Sequence, residues 1–181
     1  MAPGHIRHAG FVPSVVIGEL DNQHTDRIMK IEETFNRAGI ETTIAADIDV
    51  ALWMKFLFIA SFSGVGAMAN APAGILRTDP ELRTQMLRAM EEISTLAHAR
   101  GIQLPPNAME TVMAGINALP ENATSSMQRD LGAGKPSELE SQNGAVVRMA
   151  RESGVKVPTH ELIYETLKPF DQKARGAFIQ S

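Results

Sequence analysis

The chain has 181 residues, 44% apolar and 21% charged, with 17 basic against 21 acidic side chains and a net charge of −4. That balance lacks the basic patch or stripe of a nucleic-acid binder, and the length suits one domain with a real core, or one domain and a piece of another. No cysteine is present, which excludes disulfides, a thiolate nucleophile and a thiolate zinc site and is compatible with a reducing cytosol, so a cytoplasmic protein is expected.

The first ten residues, MAPGHIRHAG, have no apolar core of signal-peptide length. His5 and His8 stand three apart without a third ligand nearby, so no metal site is expected. Phe11 to Gly18 is rich in β-branched residues and reads as a strand. Thr25 is placed to cap a helix from about Asp26 to Arg37, with Ile28, Ile31 and Phe35 at helical spacing and Gly39 as the stop. Ile40 to Ala45 reads as a second short strand. This β-α-β piece, residues 1–45, has too few apolar residues to close a core alone.

From residue 46 to 181 the pattern is helical. Asp47 or Asp49 caps a long apolar helix that contains LWMKFLFIASFSGVGAMA, residues 52–69. The run approaches membrane-spanning length, but a central lysine costs roughly 2.5–3.5 kcal/mol on insertion scales. It is therefore read as a buried core helix, with no membrane as partner. Asp79-Pro80-Glu81 opens the next helix, with proline in the first turn; it carries Leu82, Met86, Met90, Ile93 and Leu96 and stops at Gly101. Another is expected near Ala108 to Leu119. Ser125-Ser126-Met127-Gln128 and Ser137-Glu138-Leu139-Glu140 look like capping boxes. The first starts a short helix ending at Gly132-Ala133-Gly134, the second a helix running to about Ser153. A last helix covers roughly His160 to Phe170.

Two features of the apolar helix compete for the chemistry. Gly64-Val65-Gly66-Ala67-Met68-Ala69 fits the dinucleotide fingerprint, but that motif needs a strand before it and a turn at its start. Here the helical pattern runs unbroken into Gly64, so the small residues read as packing. Lys55 is a lone charge among apolar neighbours. Burial lowers a lysine's pKa toward the range useful for proton transfer, and Ile59 and Ser63 share its helix face. The competing reading is a lysine that extends its head to the surface. His98 and His160 read as structural or exposed.

Leu52-Trp53-Met54-Lys55-Phe56, Thr124-Ser125-Ser126-Met127-Gln128-Arg129-Asp130 and Ser137-Glu138-Leu139-Glu140-Ser141-Gln142-Asn143-Gly144, in this order, resemble the ketopantoate reductase (2-dehydropantoate 2-reductase) family. Val16-Ile17-Gly18-Glu19, Ala38-Gly39-Ile40, Asp47-Ile48 and Gly154-Val155-Lys156-Val157-Pro158 support the likeness. The resemblance implies a mainly α chain. Residues 46–181 would be a helical substrate and dimerisation domain of the 6-phosphogluconate dehydrogenase C-terminal-like type, and residues 1–45 a remnant of a Rossmann domain. It further implies NADPH-dependent reduction of a 2-oxo acid. Lys55 would protonate the developing alkoxide, Ser126 would hold the substrate carboxylate, and Glu138 would assist catalysis and face the cofactor. Ser63 is the remaining candidate for substrate contact.

Two departures qualify the implication. The resemblance implies the namesake reaction, ketopantoate to pantoate in pantothenate biosynthesis, but the family has asparagines four and eight residues after the lysine, where this chain has Ile59 and Ser63, and the lost amides leave another 2-oxo acid as the alternative substrate. The family's glycine fingerprint opens a chain of about twice this size, and nothing before Val16 corresponds to it. NADP is thus expected in a complete enzyme and not on this chain alone. A homodimer through the helical domain is the expected assembly. The alternatives are an inactive helical dimerisation or interaction module, and a paralogous dehydrogenase for another hydroxy acid.

Overall fold

The computed structural model describes residues 4–5 and 14–179. These form two compact units, one up to Ala51 and one from Leu52 onward. The division falls five residues beyond the composition change near residue 46, inside a helix.

In the first unit, β1 (Ser14–Ile17) and β2 (Glu41–Ile44) pair in parallel, Ser14 opposite Glu41 and Ile17 opposite Ile44, joined through helix α1 (Asp26–Arg37). The strand expected from Phe11 is observed from Ser14; residues 11–13 and His8 lie outside the described residues. Thr25 caps α1 by accepting from the Ile28 amide at 3.3 Å. Gly39, with φ +78°, carries the chain into β2 through a left-handed conformation that favours glycine. Only Ile28, Thr42 and Ile48 are buried here among the described residues, while Val16, Leu20, Met29, Ile31 and Phe35 are exposed. A core this thin does not stand alone.

Helix α2 (Ile48–Ala69) crosses the division. Asp47 accepts from the Val50 amide at 3.1 Å and Asn22 from the Ile48 amide at 2.9 Å, so two side chains satisfy its first turn. It is long and apolar enough to cross a membrane by length and composition. Its two halves differ: Ser61 to Gly66 are all buried, whereas Leu52 and Lys55 are exposed. The expectation of a buried core helix therefore holds for the second half alone.

The second unit continues with α3 (Ala73–Thr78), α4 (Pro80–Ala99), α5 (Ala108–Asn117), α6 (Ser126–Gly132), α7 (Asn143–Ser153) and α8 (Pro158–Ile179). Helix α4 is its axis: Met86, Ala89, Met90, Ile93, Leu96 and Ala97 are all buried. They recur at helical spacing on one wide face, and α3, α5, α7 and α8 pack against the helix. Asp79 caps it, accepting from Glu81 and Leu82 at 2.9 and 3.0 Å. Arg77 does the converse for α5, donating to the Asn117 and Leu119 carbonyls at 3.0 and 2.7 Å.

Three expectations need correction. Helix α3 is not signalled by the sequence. Helix α7 starts at Asn143 rather than at Ser137, because Ser137 bonds the Leu139 amide two residues on (3.2 Å) and gives its hydroxyl hydrogen to Asp171 (2.7 Å). Those bonds make a serine turn, not a capping box. Helix α8 runs on through Pro169, which forfeits one backbone hydrogen bond, and Asp171 and Ala174 beyond it are buried.

Candidate active site

Ser125 is the N-cap of α6, its hydroxyl accepting from the Gln128 amide at 3.0 Å. With that duty taken, Ser126 projects outward between two buried neighbours, Ser125 and Met127. Glu138 is built the same way: Ser137 and Leu139 are buried on either side of it and Glu138 itself is exposed. Asp171 holds this loop, accepting from both the amide and the hydroxyl of Ser137 at 2.7 Å, while the Arg175 guanidinium pairs with Asp171 at 2.6 Å. Burial would push the Asp171 carboxyl up, but the hydrogen bonds from Arg175 and Ser137 together outweigh it and hold the group below its ordinary value. The two anchored loops meet where the Ser126 hydroxyl donates to the Glu138 carboxylate, 3.2 and 3.3 Å from its oxygens.

Lys55 lies on the open half of α2. Its side chain is exposed, with Nζ 5.5 Å from the centre of the Phe58 ring, within the range of a cation–π contact. Of the two readings of Lys55, the structure has the lysine whose head is at the surface: the charge marks the solvent side of a predominantly apolar helix. No ion pair or hydrogen bond links Lys55 to Ser126 or Glu138 among the described residues. The structure thus brings Ser126 and Glu138 into contact and leaves Lys55 as a separate exposed cation of the same unit.

Ser63 is fully buried, and its hydroxyl has no hydrogen-bond partner among the described residues. It sits in the packing and not on an open wall, because the helix is enclosed on every side from Ser61 to Gly66. Gly64 beside it is a contact point: a Cβ there would lie 2.4 Å from Nδ2 of Asn143. Gly66 similarly faces the Gln128 side chain. Both glycines are inside a helix and against side chains, so they form no phosphate-binding turn.

Asn143 and His160 complete a buried polar chain that sequence reasoning missed. Asn143 Nδ2 donates to the Ala60 carbonyl at 3.1 Å and lies 3.0 Å from His160 Nδ1. His160 Nε2 lies 3.0 Å from the Ala89 carbonyl, which only accepts. The ring proton is therefore on Nε2, and Nδ1 accepts from Asn143. Burial lowers the His160 pKa to about 4, opposed only in part by the bond to Ala89. His98, the other lone histidine of this unit, is exposed. A signal for the Asp171–Arg175 clamp was available in their i, i+4 spacing; none existed for Asn143 and His160, whose partners are distant in sequence.

No cluster of three or more histidine, cysteine, aspartate or glutamate side chains suited to a metal occurs among the described residues. Gly64 and Gly66, the glycines of the fingerprint-like run, lie against the Asn143 and Gln128 side chains and leave no room for a dinucleotide at that point.

A helical unit of this architecture behind a parallel β-α-β piece defines the C-terminal domain type of a class of oxidoreductases. Residues 47–171 match the family described as Ketopantoate reductase PanE/ApbA C terminal, and the chain belongs to that family. A 2-dehydropantoate 2-reductase of Halobacterium salinarum is 31% identical over 156 residues, which are 86% of this chain and 51% of that protein. The crystal structure of a PanE/ApbA family ketopantoate reductase from Ralstonia eutropha superimposes with a TM-score of 0.82 at 26% identity, covering 96% of this chain and 56% of that one. A dimeric ketopantoate reductase from Staphylococcus aureus shares the fold at 23% identity, with a TM-score of 0.75 over 84% of this chain and 53% of that one. The chain spans about half the length of the curated relatives it matches.

Proposed function

We propose that this chain is the substrate-side part of an NADPH-dependent 2-oxo acid reductase. The observation that carries the reading is the exposed Ser126–Glu138 pair, presented by buried neighbours on both sides, in the same unit as the exposed Lys55. The kinship with 2-dehydropantoate 2-reductases supports the reaction class.

In this reading Ser126 gives its hydrogen to the substrate carboxylate in place of Glu138, which is thereby released to assist catalysis. Lys55 faces the carbonyl oxygen; as negative charge develops there, the ammonium stabilises it and delivers the proton that completes a 2-hydroxy acid. The hydride donor is NADPH, held outside the glycines of α2, which have no room for it. A second copy of the chain is the partner proposed for the helical unit.

The test is NADPH oxidation by the native gene product over a panel of 2-oxo acids. Lys55→Met is expected to lower kcat about 10²–10⁴-fold with little change in cofactor affinity. Wild-type turnover in that variant removes Lys55 from the chemistry. Absence of turnover with every acid leaves the inactive interaction module as the better reading.

A further inference from the structure

Each of the two segments that present Ser126 and Glu138 leads into a buried amide, and the two amides meet neighbouring glycines of one helix. Gln128 lies two residues past Ser126 and is 8% exposed; Asn143 lies five residues past Glu138 and is fully buried. A Cβ on Gly66 would stand 3.1 Å from Oε1 of Gln128, and one on Gly64 would overlap Nδ2 of Asn143. Each glycine is thus a slot in α2 that admits one amide side chain. The run that mimics a dinucleotide fingerprint is where both segments of the site dock on the helix that carries Lys55.

The contacts are directional as well as close. Gln128 Nε2 donates to the Ala71 carbonyl at 3.3 Å, and the Ala71 amide bonds back to the Gly66 carbonyl at 3.0 Å. Asn143 Nδ2 donates to the Ala60 carbonyl, one turn before Gly64. That carbonyl lies inside the α2 ladder, so the bond is not there to satisfy it. Apolar side chains would fill the same slots but leave the contacts free to slide, whereas hydrogen bonds fix a register. Helix α2 then acts as a ruler: Lys55 stands nine residues before Gly64, about 13.5 Å along the axis. The Glu138 loop runs beside that end of the helix, since Ser141 lines one cleft with Phe56, the residue after Lys55.

We propose that Gln128 and Asn143 are positioning residues, Gln128 setting Ser126 and Asn143 setting Glu138 against the helix of Lys55. The proposal rests on the reductase reading above. Ser126 holds the substrate carboxylate in that reading, so displacing Gln128 weakens substrate binding. Glu138 assists the chemical step, so displacing Asn143 slows it. Two glycines two residues apart on one helix therefore carry different kinetic signatures.

The experiment is steady-state kinetics of the native gene product with the 2-oxo acid it turns over fastest, beside thermal melts. Gln128→Met is expected to raise KM about ten-fold with kcat within about two-fold, and Asn143→Leu to lower kcat about 10–100-fold with KM within about two-fold. Gly66→Ala is expected to follow Gln128→Met in direction and Gly64→Ala to follow Asn143→Leu, each pushing the same amide from the helix side. Where Asn143→Leu does not fold, Gly64→Ala carries that arm. Val112→Ala, in α5 and outside both slots, costs stability and is expected to leave KM and kcat as they are. One shared signature in all four site variants, or unchanged kinetics as in Val112→Ala, overturns the positioning roles while leaving the reductase in place. No turnover of any acid by the wild type overturns the reductase reading and this inference with it.

Discussion

Gly64 shows how a residue that mimics a cofactor motif serves packing. Asn143 Nδ2 spends both hydrogens, on the Ala60 carbonyl and on His160, and reaches α2 only because Gly64 has no side chain. A methyl group there would lie 2.4 Å from that nitrogen, which both of its hydrogen bonds hold in place. Gly64→Ala should therefore destabilise the chain by about 1–3 kcal/mol in urea denaturation despite the better helix propensity of alanine. Gly115→Ala, in α5 with nothing within 4 Å of the added atom, should stabilise by about 0.5–1 kcal/mol. Equal responses of the two variants would mean that the Asn143 contact carries no weight. That the glycines are packing was legible from the unbroken helical pattern around them. The exposure of Lys55 was not, because a helix apolar on all sides does not disclose which side faces water.

Among the elements, those with a local punctuation mark were readable. Helix α1 falls at the expected Asp26 and Arg37 because Thr25 and Gly39 bracket it, and Asp79 and Ser125 cap α4 and α6 as their spacing predicts. The failures come where distant partners decide. Ser137 is drawn into a turn by Asp171, which lies on α8 beyond Pro169, so the start of α7 and the end of α8 were misplaced by one interaction. Helix α3 has six residues, too few for a periodic signal, and is fixed by backbone bonds from Ala73 and Gly74 to the Ala123 and Glu121 carbonyls, both 2.9 Å. Asp171→Asn removes the charge and one acceptor from the clamp that presents Glu138. A loss of about 1–3 kcal/mol is expected, with faster amide exchange at Ser137 and Leu139 and none of that acceleration in α4. Unchanged exchange in this loop would show that Arg175 and Leu139 hold it without the carboxylate.

For the chain as a whole, the acid side of its stability profile follows from His160. Its folded pKa of about 4 lies below the ordinary value of 6.5, so between these limits the unfolded chain binds a proton that the folded chain refuses. Stability is then complete above pH 6.5, falls as pH drops, and levels off below about 4, a loss of at most about 3 kcal/mol from this residue. Asp171, whose pKa is depressed, adds a further loss below its ordinary value of 3.8 as it takes up a proton. Thermal melts from pH 7 to pH 4 should show the decline, and His160→Gln should flatten it. A flat wild-type profile would contradict the buried neutral ring. The same histidine marks the limit of sequence reading, since burial against Ala89 and Asn143 is a property of the folded unit and not of His160's neighbours in the chain.

Ser126 has one hydrogen to give, and Glu138 receives it. Two anions cannot share that gift, so any carboxylate that Ser126 comes to hold must first displace the resident one. Arrival of a ligand and liberation of Glu138 then become a single exchange, in which the protein's own acid keeps the place of the incoming one until it is needed elsewhere.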